Sequence, residues 1–329
     1  MQYDPIKKVL GKVFNLTPWL RILFYHLLDL LLLRSWHVRR EIHKFTNHII
    51  SSSAHQLTIS SAHQLTNSPA HQLTSSSAHQ LTNSPAHQLT SSSAHQLTIS
   101  SAHQLTSSSA HQLQILDAGS GFGQYTWFLS SLMKQAYVTA IDVKEDQIAD
   151  CQAFFQKMGK TNVSFETADM TTFVHHDSFH LILSVDVMEH IEEDEKVFRN
   201  FYESLTREGM LLISTPSDQG GSDVHDHEHE TSFIDEHVRD GYNIMEIQEK
   251  LRRAGFNRIE VRYAYGYPGH IGWLLSMKYP IKMLHISKLF FLLLPFYYLF
   301  TFPLAFLFNL ADLWTQHSKG TGLIVKAYK

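Results

Sequence analysis

The stretch ILDAGSGFG, from Ile115 to Gly123, decides the fold of this chain. Its apolar start predicts a buried strand, and Gly119, Gly121 and Gly123 follow within a few residues. Glycine allows a tight turn and lets a ligand approach the backbone without a Cβ in the way. A helix predicted to begin near Gln124 would point its amino end at the same place. A dinucleotide fingerprint needs glycine at position 124, where this chain has Gln. The stretch therefore predicts a strand, a ligand-binding loop and a helix.

The sequence after this stretch alternates between short β-branched runs and segments of helical period. The runs are YVTAIDV, NVSFE, FHLILSVDV and GMLLIST, and GFNRIEVRYAYG and GLIVKAYK predict a sixth and a seventh strand. This alternation predicts an α/β fold, a mostly parallel sheet with helices on both faces.

Carboxylates follow four successive predicted strands. Asp117 lies in the first strand, Asp142 closes the second, Asp169 follows the third and Asp186 follows the fourth. Ligands of open α/β sheets bind at the carboxyl ends of the strands, where a carboxylate can accept hydrogen bonds from ribose hydroxyls. A single acid of this kind is usually a cap or turn residue, but four of them favour a ligand site.

The ordered motifs ILDAGSGFG, AIDV, ETADM, FHLILSVDVMEHI and LTREGMLLISTPS resemble those of the class I S-adenosylmethionine-dependent methyltransferases. The resemblance covers residues 115–262 and resumes at 321–329. It implies a Rossmann-like α/β fold whose seven-stranded, mostly parallel sheet has an antiparallel last strand, with S-adenosylmethionine as cofactor. The cofactor-binding residues that it implies are Asp117, Gly119, Gly121 and Gly123 for the methionyl part, Asp142 for the ribose, Asp169 and Met170 for the adenine, and Val185 at the end of the fourth strand.

Three side chains after the fourth strand are candidates for catalysis and for metal binding. Asp186, Glu189 and His190 stand at i, i+3 and i+4 and would share one face of a helical turn. The quinone-ring O-methyltransferases of ubiquinone synthesis are similar here, and this resemblance implies a Mg²⁺ site with Asp in place of the usual first Glu. We take Glu189 and His190 as candidate catalytic residues. The alternative is a turn that caps a helix starting near Glu192.

A polar loop at residues 215–240 is predicted to cover the acceptor. It contains HDHEHE after the hinge candidates Gly220 and Gly221. We take His227 and His237 as candidate catalytic residues, and the other candidates for acceptor contact are His225, His229, Glu236 and Arg239. A purely solvated lid and a divalent ion bound by the alternating His and acid residues are the alternatives.

Residues 51–114 are eight octads of the type SSSAHQLT. They contain no charged residue and eight of the 23 His of the chain. Such units bury too little apolar surface to offset the entropy of ordering, so we expect a disordered or weakly structured tandem expansion. A metal-binding tract is the alternative. The chain thus divides into residues 1–50, the repeat at 51–114 and a methyltransferase domain at 115–329.

Charge is unevenly distributed along the chain. Residues 1–50 carry +5, residues 115–261 carry −15 and residues 262–329 carry +6, which together give the net charge of −4. The acidic centre argues against nucleic acid as a partner, whereas the basic, apolar ends suit an anionic membrane surface. The single Cys151 excludes an intramolecular disulfide and favours the cytoplasm.

An apolar insertion at residues 270–318 separates the last two predicted strands. Leu289 to Leu310 are 22 residues without a charge, long enough to span a bilayer. One crossing would put two neighbouring strands on opposite sides of the membrane. Pro295 and Pro303 are expected to break the segment into short pieces, which favours a re-entrant or interfacial arrangement.

The amino-terminal segment WLRILFYHLLDLLLLRSWHVRREI predicts an amphipathic helix. Arg21 and Asp29 interrupt the apolar run, and Trp19 and Trp36 stand at its ends, a pattern typical of a membrane surface. The alternative is a helix packed on the catalytic domain with its apolar face in the core.

We therefore expect a methyltransferase that acts on an apolar acceptor, such as a quinone, a polyprenyl or another lipid-like molecule, as a peripheral protein at the cytoplasmic membrane face. One alternative is a soluble small-molecule or glycan methyltransferase whose insertion forms a dimer interface. Another is a non-catalytic S-adenosylmethionine-binding module of a membrane complex.

Overall fold

A computed structural model describes residues 17–66, 112–132, 135–220 and 238–329. Residues 1–41 and 113–329 belong to one compact unit, and residues 42–112 belong to a second. The sheet and the candidate site lie in the first unit.

A seven-stranded sheet organises the first unit. Its strands are β1 (Leu113–Ala118), β2 (Ala136–Asp142), β3 (Val163–Thr167), β4 (Phe179–Val185), β5 (Leu205–Pro216), β6 (Arg258–Ala264) and β7 (Gly322–Tyr328). The spatial order is β3-β2-β1-β4-β5-β7-β6. The first five strands run parallel to one another, and β7 runs antiparallel between β5 and β6. The predicted Rossmann-like sheet is thus confirmed, including the pairing of the last two strands.

Helices surround this sheet. They are α1 (Pro18–Leu31), α2 (Leu33–Thr66), α3 (Gln124–Leu132), α4 (Glu145–Lys157), α5 (Asp194–Ser204), α6 (Ile244–Ala254), α7 (Tyr267–Trp273), α8 (Tyr279–Ile286) and α9 (Leu294–Trp314). Shorter helical turns occur at Met188–His190, Leu274–Lys278 and Lys288–Leu292.

The core lies where the central strands are covered on both faces. Strand β4 reads FHLILSV and buries Leu181, Ile182 and Leu183 completely, so its apolar residues are continuous rather than alternating. Leu116 of β1 and Ile213 of β5 belong to the same apolar cluster as Ile182. This packing fixes the carboxyl ends of β1, β2 and β4 at one edge of the sheet.

The octad repeat differs from the expectation at both of its ends. Helix α2 continues to Thr66 and so includes the first two octads, because these lack the Gly and Pro that end helices. The first proline of the repeat is Pro69, three residues beyond the end of α2. At the other end, β1 begins at Leu113, inside the last octad. Residues 67–111 lie outside the described residues.

The predicted break occurs before Pro295, where the helical turn Lys288–Leu292 ends and α9 begins at Leu294. It does not occur at Pro303, since α9 continues to Trp314. Pro295 stands in the first turn, where its missing N–H costs nothing. Pro303 lies inside the helix, where the cost of about 3 kcal/mol is offset by packing on one side. In that packing Ala305, Asn309 and Asp312 form a buried stripe, the last two against α7. Among the described residues, α9 is the one helix long and apolar enough to cross a bilayer.

Helix α1 packs on the catalytic domain with the face that carries Arg21 and Tyr25, and not with its apolar face as the alternative interpretation predicts. Arg21 and Tyr25 are buried, whereas Trp19, Leu23 and Leu27 are exposed. The side chain of Arg21 turns inward because Asp150 of α4 pairs with it at 2.6 Å.

Candidate functional site

The loop between β1 and α3 has the backbone that its glycines predict. Gly119, Gly121 and Gly123 adopt φ values of +83°, +52° and +82°, a left-handed region that residues with a Cβ rarely adopt. A Cβ on Gly119 would lie 2.4 Å from Cγ2 of Val187. A Cβ on Gly121 would meet nothing within 4 Å. The loop is therefore closely packed at its start and open at Gly121.

Asp117 lies buried near the end of β1, below this loop. Its Oδ2 accepts a hydrogen bond of 2.5 Å from the hydroxyl of Thr126 on α3. Burial raises the pKa of Asp117 to about 7, although the hydrogen bond from Thr126 opposes this shift. A cationic ligand beside this carboxyl would favour its ionised form.

Asp142 lies at the end of β2 and faces the same loop. Its Oδ2 accepts from the amide of Gly121 at 2.9 Å, and its Oδ1 accepts from the amide of Lys144 at 3.0 Å. Each carboxylate oxygen can accept a second hydrogen bond. The side chain is thus held in a fixed orientation with acceptor capacity left for vicinal hydroxyl groups.

The remaining cofactor candidates lie beyond β3 and at the end of β4. Asp169 is exposed, and its Oδ1 accepts from the amide of Thr171 at 2.8 Å, as in a turn. The side chain of Met170 is buried in the core, while its carbonyl accepts from Nδ2 of Asn200 at 2.8 Å. Val185 is half-buried as the last residue of β4. Their assignment to the adenine end stays a prediction.

The structure does not assemble the predicted magnesium ligands. Asp186 precedes the helical turn with φ +52° and pairs with Arg34 of α2. Glu189 is buried, and its Oε2 accepts from the hydroxyl of Thr215 at 3.0 Å. His190 is exposed. Helical spacing failed as a guide because only Met188–His190 are helical. In the part of the chain that the structure describes, no three His, Cys, Asp or Glu side chains are grouped to hold a metal ion.

These positions also separate the two catalytic candidates of this turn. Burial raises the pKa of Glu189, and its carboxylate accepts a hydrogen bond from Thr215 of β5. His190 lies at the rim. Glu189 is therefore suited to positioning the turn, and its carbonyl accepts from the amide of Val238 at 3.0 Å.

The lid candidates His227 and His237, with His225, His229 and Glu236, lie outside the described residues. Arg239 lies within the described residues. It pairs with Asp194 at the start of α5 and donates from Nη2 to the carbonyl of Ile191 at 2.7 Å. The guanidinium of Arg239 is thus held at the start of α5, and its contact with an acceptor stays a prediction.

Several residues that shape the site were not predicted from the sequence. Arg34 of α2 reaches Asp186, and its backbone amide donates to the hydroxyl of Tyr265 at 2.8 Å. The Nε2 atom of Gln124 donates to Asp29 at 2.8 Å and to Ser35 at 3.2 Å. Arg34 lies in the basic, apolar amino-terminal part of the chain, which we interpreted as suited to a membrane surface, so no local signal distinguished this residue.

Together these residues suit a ligand that carries a positive charge and hydroxyl groups. The edge offers carboxylates at Asp117 and Asp142, and the open space beside Gly121 admits a ligand atom where a Cβ would stand. These features fit S-adenosylmethionine, with its ammonium, sulfonium and ribose groups.

Comparisons with known proteins agree with this geometry. The model of a family described as a methyltransferase domain matches residues 109–256. A malonyl-[acyl-carrier protein] O-methyltransferase of Bacillus cereus is 30% identical over 112 residues, which are 34% of this chain and 40% of that protein. A phosphoethanolamine N-methyltransferase of Triticum aestivum is 29% identical over 148 residues, 44% of this chain and 28% of that protein.

Among solved structures, phosphoethanolamine N-methyltransferase 2 of Haemonchus contortus in complex with S-adenosyl-L-methionine has a TM-score of 0.46. It is 20% identical, and the alignment covers 66% of this chain and 48% of that one. The chain thus spans less than half the length of each of these three relatives.

Proposed function

We propose that this chain, whose residues 109–256 form a methyltransferase domain, transfers a methyl group from S-adenosylmethionine to an apolar, lipid-like acceptor. The observation that carries the proposal is the sheet edge at the ends of β1 and β2. There Asp142 holds the amide of Gly121 beside open space, and Asp117 lies below the same loop. Asp117 would face the charged methionyl end, and Asp142 would accept hydrogen bonds from the ribose hydroxyls.

The cofactor supplies an electrophilic methyl group, so the protein mainly has to align the acceptor with it. The carboxyl of Asp117 would face the positive charge of the cofactor. The amide of Gly121 donates to Asp142 and so fixes the loop, and the buried Glu189 keeps the turn after β4 in place. His190 at the rim is the candidate to take up a proton from an acceptor hydroxyl.

The proposal of an apolar acceptor rests on the insertion between β6 and β7. Its side chains include many large apolar groups in contact with water, such as Leu289, Phe296, Phe300 and Leu307. Exposed apolar surface of this kind is typical of sites for lipids or partner proteins. The named relatives act on acceptors of different chemistry, a protein-bound malonyl group and phosphoethanolamine, and so do not select one. We place the chain at the cytoplasmic face of a membrane, where such an acceptor is found.

The experiment measures S-adenosylhomocysteine formed by the full chain with a lipid extract as acceptor, together with cofactor affinity. Mass spectrometry should reveal a lipid heavier by one methylene. Asp117→Ala should lower cofactor affinity at least about tenfold, since charge-assisted hydrogen bonds contribute about 1.5–3 kcal/mol. Asp146→Ala is the matched control, because this exposed carboxylate begins α4 away from the loop.

Unchanged affinity of Asp117→Ala would place the cofactor elsewhere. Turnover with the water-soluble fraction alone would favour the soluble small-molecule or glycan methyltransferase. Cofactor binding without turnover in either fraction would favour the non-catalytic module.

A further inference from the structure

Helix α1 carries its apolar residues on the outside. Its inward face holds Arg21 and Tyr25, 4% and 1% exposed. The opposite face carries Trp19, Leu23, Leu27 and Leu30, which are 75%, 60%, 44% and 42% exposed. These four residues are spaced by four, four and three positions and therefore form one stripe.

The orientation of α1 is determined by the partners of Arg21. Its guanidinium donates to Asp150 at 2.6 Å, to the hydroxyl of Tyr25 at 2.7 Å, to the carbonyl of Phe122 at 2.8 Å and to Sγ of Cys151 at 3.1 Å. Rotating α1 to bury its leucines would strip a cation of these partners or expose the aromatic cluster beneath it. The apolar stripe is thus held toward the outside.

This stripe continues into the insertion. The ring of Trp36, just after α1, lies 5.0 Å from that of Phe306 on α9. Leu31 and Leu32 share a cleft with Trp273 and Met277. The exposed apolar residues of the insertion include Ile286, Leu289, Phe291, Leu292, Phe296, Leu299, Phe300, Leu304, Leu307 and Trp314.

Charge at the border of this surface favours a lipid bilayer over a second copy of the chain. Between residues 266 and 320 the only acidic residue is Asp312, which is fully buried. Lys282, Lys288 and Lys319 are exposed. The exposed charged side chains of the insertion are lysines, which are attracted to anionic headgroups, whereas two copies facing each other would bring these like charges together.

The inward face of α1 reaches the cofactor loop. The carbonyl of Phe122, between Gly121 and Gly123, accepts from Arg21 and also from the hydroxyl of Tyr25 at 2.5 Å. The position of α1 and the shape of the loop are therefore linked by two hydrogen bonds to one backbone group.

We infer that the outer stripe of α1 and the exposed insertion dock on an anionic bilayer, and that this docking stabilises the cofactor loop through Arg21 and Tyr25. The second part rests on the proposed function, since it assigns the loop to the cofactor. Because coupling between two sites is reciprocal, a docked membrane should tighten cofactor binding, and cofactor should tighten docking.

The test uses the full chain and vesicles of phosphatidylcholine with or without phosphatidylglycerol. We compare the wild type with Leu23→Gln/Leu27→Gln, and use Met245→Gln as the matched control, because Met245 is an exposed apolar residue of α6 away from both segments. The wild type and the control should sediment with anionic vesicles, and high salt should weaken this. The double variant should partition about a hundredfold less, since each leucine contributes about tenfold. Thermal unfolding should be unchanged, because both leucines already contact water.

Cofactor affinity is then measured with and without anionic vesicles. Vesicles should tighten binding about fivefold or more in the wild type and leave the double variant unchanged. Equal vesicle binding by the wild type and the double variant would overturn the docking surface. A lipid-free dimer that the double variant dissociates, with no vesicle binding, would assign the face to a second copy instead.

Vesicle binding with no change in cofactor affinity would overturn the coupling alone. Absence of any cofactor binding would instead contradict the proposed function, while the vesicle measurement would still decide the docking surface.

Discussion

Asp117 is a residue whose proposed role in ligand binding lowers the stability of the folded protein. It is buried with a single side-chain partner, Thr126, and burial raises the pKa of Asp117 to about 7. A carboxyl whose pKa is raised in the folded state binds protons more tightly there than in the unfolded chain. Its contribution to stability is therefore complete below pH about 4 and is lost as the pH rises to about 7.

Asp117→Asn should make the protein more stable at pH 8 than the wild type, because the amide stays neutral where the carboxyl must ionise. We expect the free energy of unfolding to rise by about 2 to 4 kcal/mol at pH 8 and by little at pH 4. Urea unfolding at the two pH values measures this. Cofactor affinity should fall in the same variant. An equal effect of the substitution at both pH values would mean that Asp117 ionises at its ordinary pKa.

At the scale of elements, different positions of the loop between β1 and α3 serve folding and ligand binding. Gly119 is enclosed by Val187, while Gly121 adjoins open space and donates its amide to Asp142. Both glycines have positive φ, so replacing either one by a residue with a Cβ carries a similar backbone strain.

Gly119→Ala and Gly121→Ala should therefore have different effects. Gly121→Ala should cost about 1 kcal/mol of stability and lower cofactor affinity at least about tenfold. Gly119→Ala should cost about 2 to 4 kcal/mol, because its Cβ also collides with Val187. Chemical unfolding and calorimetric titration measure the two effects. Adding Val187→Ala should restore part of the loss in Gly119→Ala, and equal losses of stability in the two single variants would contradict this division.

At the scale of the molecule, a buried polar cluster ties the apolar insertion to the catalytic sheet. Asp312 of α9 accepts from Nε2 of His37 on α2 at 3.0 Å and from the amide of Gly269 on α7 at 3.0 Å. Arg262 of β6 donates to Nδ1 of His37 at 3.0 Å. This arrangement requires a neutral ring, and burial lowers the pKa of His37 accordingly. Both ends of the insertion are thus held beside neighbouring strands, which does not suit a single crossing of a bilayer.

Asp312→Asn should loosen the insertion, because it removes the charge that His37 and His317 face. We expect a loss of about 2 to 4 kcal/mol in the free energy of unfolding. Hydrogen exchange should increase first in α9 and α7. Asp177→Asn is the control, because Asp177 is an exposed acid paired with Lys329. Uniform exchange throughout the chain would show that the cluster is not a local anchor.

The sequence by itself determined the α/β sheet, the pairing of its last two strands, the glycine loop and the acids at the strand ends. The family match over residues 109–256 confirms the resemblance to methyltransferases that these motifs indicated. Most of these features are local, since periodicity, glycine and the ends of strands depend on neighbouring residues, whereas the pairing of the last two strands followed from the family resemblance. The tertiary structure decided which face of α1 is buried, and it decided that Asp186 pairs with Arg34 and that Glu189 accepts from Thr215.

These decisions depend on partners far away in the chain. Arg21 meets Asp150, and Arg34 meets Asp186. The local pattern of α1 predicts an amphipathic helix but leaves open whether its apolar face is buried or exposed. A buried cation with four hydrogen-bond partners keeps that face outside. Pairing at long range depends on how elements are placed in space, and no short window of sequence contains that placement.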